Sequence, residues 1–134
     1  MFKRVLTSLC LFAAAMLAAG AAHALTIKPY TAADLAAAQN AGAPVAVHFH
    51  ADWCPTCKTQ AQVFETLKAD AALDKVTVLI ADFDKETELK KAWSVRAQAT
   101  IVVFKGKSEV ARNGGDTDPG KIKATLAASL AAAK

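Results

Sequence analysis

Cysteine, net charge and repetition are all scarce in this chain. It holds three cysteines in 134 residues, and the first, Cys10, lies in an N-terminal stretch expected to be removed. The two that remain, Cys54 and Cys57, are too few for a disulfide framework. A bridge between residues so close would constrain the unfolded chain little, so the pair points to chemistry rather than to stapling. Charge of one sign is equally thin. Without Lys3 and Arg4 the 16 basic residues become 14 against 12 acidic ones, and the formal +4 falls to +2. No run of five like charges occurs, so a nucleic-acid partner is not expected. No internal repeat is visible, and no low-complexity tract beyond alanine-rich helix sequence. What is present is a globular composition, with 54% hydrophobic and 21% charged residues at the length of one domain.

Met1 to Ala24 reads as a cleavable signal peptide. Lys3 and Arg4 form its positive end, Val5 to Leu17 is an uncharged apolar run, and Ala22-His23-Ala24 is a small-x-small cleavage pattern. A membrane anchor competes, because Val5 to Ala22 is about as long as a span requires. Alanine dilution toward the end of the run and the cleavage pattern that follows favour removal. Cys10 lies too early, and follows Leu9 where a small residue is needed, to be a lipid-bearing cysteine. The mature chain is then expected to run from Leu25 to Lys134 as one domain in the periplasm or outside the cell.

Along that domain, strands and helices are expected to alternate. Leu25–Lys28 reads as a short strand. Thr31 to Asp34 resembles a capping box opening a helix that Gly42 ends. Val45–Phe49 and Val76–Ala81 are apolar runs of covered strands. Between them a helix starts at Cys54 or Pro55 and runs to about Leu73, with Ala61, Val63, Phe64, Leu67 and Ala71 at helical spacing. Asp84 is expected to cap a helix through Trp93, with Glu86 and Lys90 as an i, i+4 pair. Thr100–Phe104 turns through Lys105-Gly106-Lys107 into Glu109–Arg112. Asp118 before Pro119 starts a last helix reaching about Leu130. The order β-α-β-α-β-α-β-β-α predicts an α/β sandwich whose mixed sheet has an antiparallel edge.

The chemistry is concentrated at Trp53-Cys54-Pro55-Thr56-Cys57. The strand delivers Cys54 to a helix N-terminus, where free backbone N–H groups and the helix dipole favour a thiolate. Pro55 is tolerated there because the first helical N–H is unpaired anyway. Three residues on, Cys57 falls on the same face, placed to resolve a mixed disulfide formed at Cys54. Alone, a C-x-x-C is weak; between a covered strand and an amphipathic helix, with no other mature cysteine, it is strong.

Pro44 to Lys58, PVAVHFHADWCPTCK, and Ala99 to Gly106, ATIVVFKG, resemble the thioredoxin superfamily, and the element order agrees over essentially the whole mature chain. The resemblance implies a three-layer sandwich and a thiol–disulfide oxidoreductase acting on protein disulfides or thiols. It makes Cys54 the nucleophile and Cys57 the resolving thiol. Trp53 would pack beside the disulfide and shape the docking surface, with Pro55, Thr56, Gln98, Ala99 and Thr100 also meeting substrate. No cofactor is called for, and a monomer is expected.

Two positions depart from the family's pattern. Its cis-proline before threonine is replaced by Ala99, so the Gln98–Ala99 peptide is expected to be trans, since a cis bond without proline costs about 3–4 kcal/mol. Ala99→Pro is accordingly expected to tighten peptide binding. Thioredoxins proper carry a buried aspartate where this chain has His48. A neutral imidazole there could move protons for Cys57, or simply fill the core. His48 and His50 share a strand face just before Cys54 and Cys57, which opens a rival reading as a zinc or copper protein. A third, a non-catalytic binding module, fits less well with two intact cysteines. Trp93 and Phe64 are expected in the core, and Lys58, Lys90 and Lys91 on solvated faces. With no histidine between the cysteines to stabilise a thiolate strongly, the reading leans toward a reductase recharged by a membrane electron donor, though a membrane acceptor stays open.

Overall fold

The computed structural model describes residues 24–131, so all but the last residue of the expected leader lies outside it. The elements are β1 (Thr26–Pro29), α1 (Ala32–Asn40), β2 (Pro44–His50), α2 (Pro55–Leu67), β3 (Thr77–Asp82), α3 (Thr87–Ala92), β4 (Thr100–Lys105), β5 (Ser108–Gly114) and α4 (Pro119–Ala127). Short 3₁₀ turns follow α2 and α4, at Ala71–Leu73 and Ala128–Leu130. One five-stranded sheet runs β1-β3-β2-β4-β5. β3 is parallel to β1 and β2, while β4 is antiparallel to β2 and β5. The expected mixed sheet and helical layers are both present.

β2 lies at the centre of the sheet, so alternate residues enter two separate cores. Ala46 joins Val78, Ile101 and Val103 beneath Phe64, Leu67, Ile122 and Leu126 of α2 and α4. Val45, Val47 and Phe49 enter the opposite core with Leu79, Val102 and Leu35 of α1. Trp93 packs there between Phe49 and Phe104, with ring centroids 6.0 and 4.8 Å away. His48 follows Ala46 by two residues, so its ring meets Phe64 edge-on at 5.1 Å.

The helix starts follow local chemistry. Thr31 Oγ1 accepts the Asp34 N–H at 3.0 Å, and Asp118 Oδ1 accepts the Lys121 N–H at 2.8 Å ahead of Pro119. Gly42, at φ +67°, ends α1 with its N–H on Gln39 O, while Ala43 N–H reaches Ala38 O.

Three expectations are corrected. α2 stops at Leu67, because Asp70 caps its own 3₁₀ turn by accepting the Ala72 N–H at 3.0 Å. Asp84 caps no helix. The end of β3 is turned by Asp82, whose Oδ1 accepts the N–H groups of Asp84 and Lys85, and α3 begins only at Thr87. Lys90 places its ammonium 3.9 Å over the Phe83 ring, and among the described residues no ion pair joins it to Glu86.

Candidate active site

β2 ends at His50, and a short turn carries the chain to Cys54, the N-cap of α2. Extended backbone at Cys54 (φ −95°, ψ 111°) lets its Sγ accept the Cys57 N–H at 3.1 Å, while Pro55 occupies the first helical turn. Cys54 and Cys57 are joined as a disulfide, with Cα atoms 5.3 Å apart. The bridge is nearly sealed: Cys54 is 1% exposed and Cys57 wholly buried, packed with Ala51 and Ala99. Cys57 Sγ also lies 3.9 Å from the Phe49 carbonyl oxygen.

Ala99 holds the loop against this bridge. Its N–H donates to Phe49 O at 2.8 Å, and its carbonyl accepts from Gly115 N–H at 2.9 Å and Gln60 Nε2 at 3.0 Å. Its φ is +61°, a left-handed conformation that costs an L-residue roughly 1–2 kcal/mol. No cis peptide occurs among the described residues, so the Gln98–Ala99 bond is trans as expected. This geometry argues against the expected gain from proline: a ring at position 99 would force φ negative and remove the N–H held by Phe49.

Behind the bridge lies a buried polar arrangement. Gln60 Nε2 donates to the carbonyls of Ala99 and of Asp116, so its Oε1 is left to accept. His48 Nε2 lies 2.8 Å from that oxygen and therefore carries the hydrogen. Burial pushes the His48 pKa down from 6.5 to about 4, against the pull of Gln60 and with a small push from His50. His48 is thus a neutral imidazole, but a much weaker base than its reference value suggested. His50 Nε2 lies 3.2 Å from Asp52 Oδ1.

A family model described as Thioredoxin matches residues 28–128. The chain belongs to the thioredoxin family. It is 33% identical over 82 residues to thioredoxin of Malassezia sympodialis, a match spanning 61% of this chain and 77% of that one. It is 41% identical over 70 residues to protein disulfide-isomerase erp38 of Neurospora crassa, which covers 51% of this chain but only 19% of the relative's length. Among solved structures, Trxlp from Edwardsiella tarda EIB202 matches with a TM-score of 0.71 at 34% identity, covering 75% of this chain and 98% of that one.

The remaining family positions fall around the disulfide in different ways. Trp53 is 59% exposed, and its indole N–H donates to Asp84 Oδ2 at 2.8 Å. Together they border a cleft of about 380 Å³ that His50, Ala51 and Asp82 also line. Pro55 is exposed, and Thr56 and Gln98 are half-buried. Thr100 turns inward, its hydroxyl donating to Ala97 O at 2.8 Å, so only its backbone is left to meet a substrate. Two thioredoxin-site residues escaped the sequence reading. Gln60 sits on the buried stripe of α2 with Cys57, Val63, Phe64 and Leu67, and a polar residue on an apolar stripe was the available signal. Asp84 gave none, because its partner Trp53 lies 31 residues away.

The rival metal reading is partly supported in geometry and partly corrected. One ligand atom each from His48, His50 and Cys57 lies within 4.8 Å of the others, so strand and helix terminus do converge. Cys54 is not a member of that group.

Proposed function

We propose that this chain is an exported thiol–disulfide oxidoreductase that works mainly as a reductase of protein disulfides. The observation that carries the enzyme reading is the Cys54–Cys57 disulfide at the N-terminus of α2 in a thioredoxin-family chain. In the reduced protein the Cys54 thiolate attacks a substrate disulfide, forming a mixed disulfide and releasing one substrate thiolate. Cys57 then loses its proton and attacks Cys54 Sγ, closing the bridge and releasing the second substrate thiolate. Two electrons pass from the cysteine pair to the substrate. His48 enters as a neutral group behind Cys57 that holds a hydrogen bond rather than storing a proton. Trp53, Pro55, Thr56 and the backbone of Gln98, Ala99 and Thr100 form the docking rim.

Export is supported by the leader pattern of residues 1–24, and it places the protein in the periplasm or outside the cell. There, a reductase needs electrons from a membrane partner. The reductive direction is supported by Pro55-Thr56, which brings no cation beside Cys54. Monomeric behaviour is supported by a surface whose large exposed hydrophobics, among the described residues, are Trp53 and Val110. Redox titration against glutathione tests direction: a potential near about −270 mV supports the reductase, and one near about −120 mV makes it an oxidant. Insulin-disulfide reduction tests the enzyme itself. Cys54→Ser should abolish it and Cys57→Ser should accumulate mixed disulfides; a Cys54→Ser variant as active as the parent would refute the reading.

A further inference from the structure

His48 and His50 sit two residues apart on β2, their rings edge-on with centroids 5.5 Å apart. Each has one nitrogen fixed by an acceptor, His48 Nε2 by Gln60 Oε1 and His50 Nε2 by the Asp52 carboxylate. In each the other nitrogen, Nδ1, is buried without a hydrogen-bond partner. A buried polar atom left unpaired costs about 1–3 kcal/mol, and here the two rings that carry such atoms are neighbours. Imidazoles that bind metals are held in this way, with the distal N–H on a carbonyl or carboxylate and the facing lone pair free. The third group beside them is Cys57, within the same 4.8 Å. Thiol–disulfide exchange as set out above uses neither lone pair.

We propose that reduction of the Cys54–Cys57 disulfide opens a thiophilic metal site whose ligands are Nδ1 of His48, Nδ1 of His50 and the Cys57 thiolate, and that Cu(I) is the ion it takes. The proposal rests on the oxidoreductase reading only in requiring a reducible bridge. Two electrons from an external thiol pair, which also gives up two protons, or from a phosphine, which becomes its oxide with oxygen and both protons taken from water, turn the bridge into two thiols. Binding then displaces the Cys57 proton to buffer, and the ion keeps its oxidation state. A disulfide sulfur is a poor donor, so the oxidised form lacks the third ligand. Metal bonds of about 2.0–2.3 Å hold ligand pairs about 3.5–4 Å apart. The 4.8 Å group must therefore contract, and freeing Cys57 from Cys54 gives the sulfur that movement. Structural zinc takes four protein ligands, whereas this largely buried set supplies three, two imidazoles and a soft thiolate, which suits Cu(I). His50 lines both the cleft beside Trp53 and a second pocket of about 240 Å³ against Phe64 and Ile80, so an entering ion meets the outer histidine first. Once bound, the ion occupies the resolving thiol and halts disulfide exchange.

The test uses the purified protein, reduced anaerobically with a phosphine and titrated with Cu(I) in competition with a bathocuproine chelator. One Cu(I) per reduced chain is expected, with X-ray absorption showing both nitrogen and sulfur neighbours. His50→Ala, at the half-buried end of β2, should weaken binding by more than about 100-fold, above the loss seen when only a ligand's supporting partner is removed. Cys57→Ser should do the same. Cys54→Ser should bind without any reductant, because its Cys57 is already a free thiol. Equal uptake by the disulfide form would overturn the proposal. So would a His50→Ala variant that binds like the parent while Cys54→Ser loses copper, since the ion would then be held by a simple dithiol. Insulin reduction by the metal-free protein is read separately. A chain that reduces insulin but takes no copper refutes this inference alone, and one that takes copper without reducing insulin refutes only the enzyme reading.

Discussion

His48 donates its Nε2 hydrogen to Gln60 Oε1 across 2.8 Å, at a point where neither side chain has any exposure. That bond links three things that sequence keeps apart. β2 brings the imidazole, α2 brings the amide one turn beyond Cys57, and the amide's own hydrogens fasten the Ala99 and Asp116 carbonyls on either side of β4 and β5. A single side chain thus sets the tautomer behind the disulfide and the height of the loop above it.

Removing the amide while keeping its volume isolates this role. Gln60→Met leaves the buried His48 Nε2–H without an acceptor, and the orphaned donor together with the lost carbonyl bonds should cost about 2–4 kcal/mol. Gln62→Met, at an exposed position of the same helix, should stay within about 0.5 kcal/mol of the parent. Urea unfolding of the two variants makes the comparison. Equal midpoints would mean that the Gln60 bonds contribute nothing net.

His48 also makes stability depend on pH in a definite direction. The unfolded chain protonates this histidine near 6.5, whereas the folded chain resists until about 4. Between those values the unfolded state binds more protons, so stability rises with pH; it is fully present above about 6.5 and is lost as pH falls. The loss should reach about 3 kcal/mol by pH 4. Urea midpoints of the metal-stripped protein at pH 7 and pH 4.5 should diverge, and His48→Gln should flatten the difference. A parent whose midpoint does not move across that window would contradict the burial argument.

Ala99 gives the sharpest contrast between two substitutions at one site. Proline fixes φ near about −65° and removes the N–H that Phe49 O accepts, so Ala99→Pro should lose about 3 kcal/mol or more and bind peptide disulfides less well. Glycine relieves the left-handed strain of about 1–2 kcal/mol but loosens the unfolded chain by about 0.5–1 kcal/mol, so Ala99→Gly should lie between neutral and about 1.5 kcal/mol more stable. Thermal unfolding decides between them. An Ala99→Pro protein as stable as the parent would show that the loop can abandon its observed geometry.

The parts of this protein legible in sequence are those governed by neighbours along the chain. Pro55 and Pro119 mark the first turns of α2 and α4, Thr31 and Asp118 cap α1 and α4, and apolar residues on both faces of β2 report a covered strand. The 82–84 segment misled because two aspartates compete for one turn. Asp82 wins since β3 delivers it to the turn, and Asp84 is left free to hold Trp53. The i, i+2 spacing of His48 and His50 gave a shared face, but only the path of α2 brings Cys57 up to them. Nothing local to Ala99 announces a positive φ, because Phe49, Gln60 and Gly115, all remote in sequence, impose it.

The two cysteines should differ in reactivity once the bridge is opened. Cys54 Sγ sits at the N-cap of α2 and accepts the Cys57 N–H at 3.1 Å, in the position where helix N-termini favour thiolates. Cys57 has no such donor and is fully buried against Phe49 and Ala99, so its thiol is shielded as well as less readily ionised. Brief iodoacetamide treatment of the reduced, metal-free protein at pH 6 should therefore label Cys54 well ahead of Cys57. Tryptic peptide mapping reads the two sites, provided the fragment is sequenced across Pro55 and Thr56. Denatured protein should lose most of the difference, because helix terminus and burial vanish together. Preferential labelling of Cys57 in the native protein would reverse the division of labour, making it the attacking sulfur and Cys54 the resolving one.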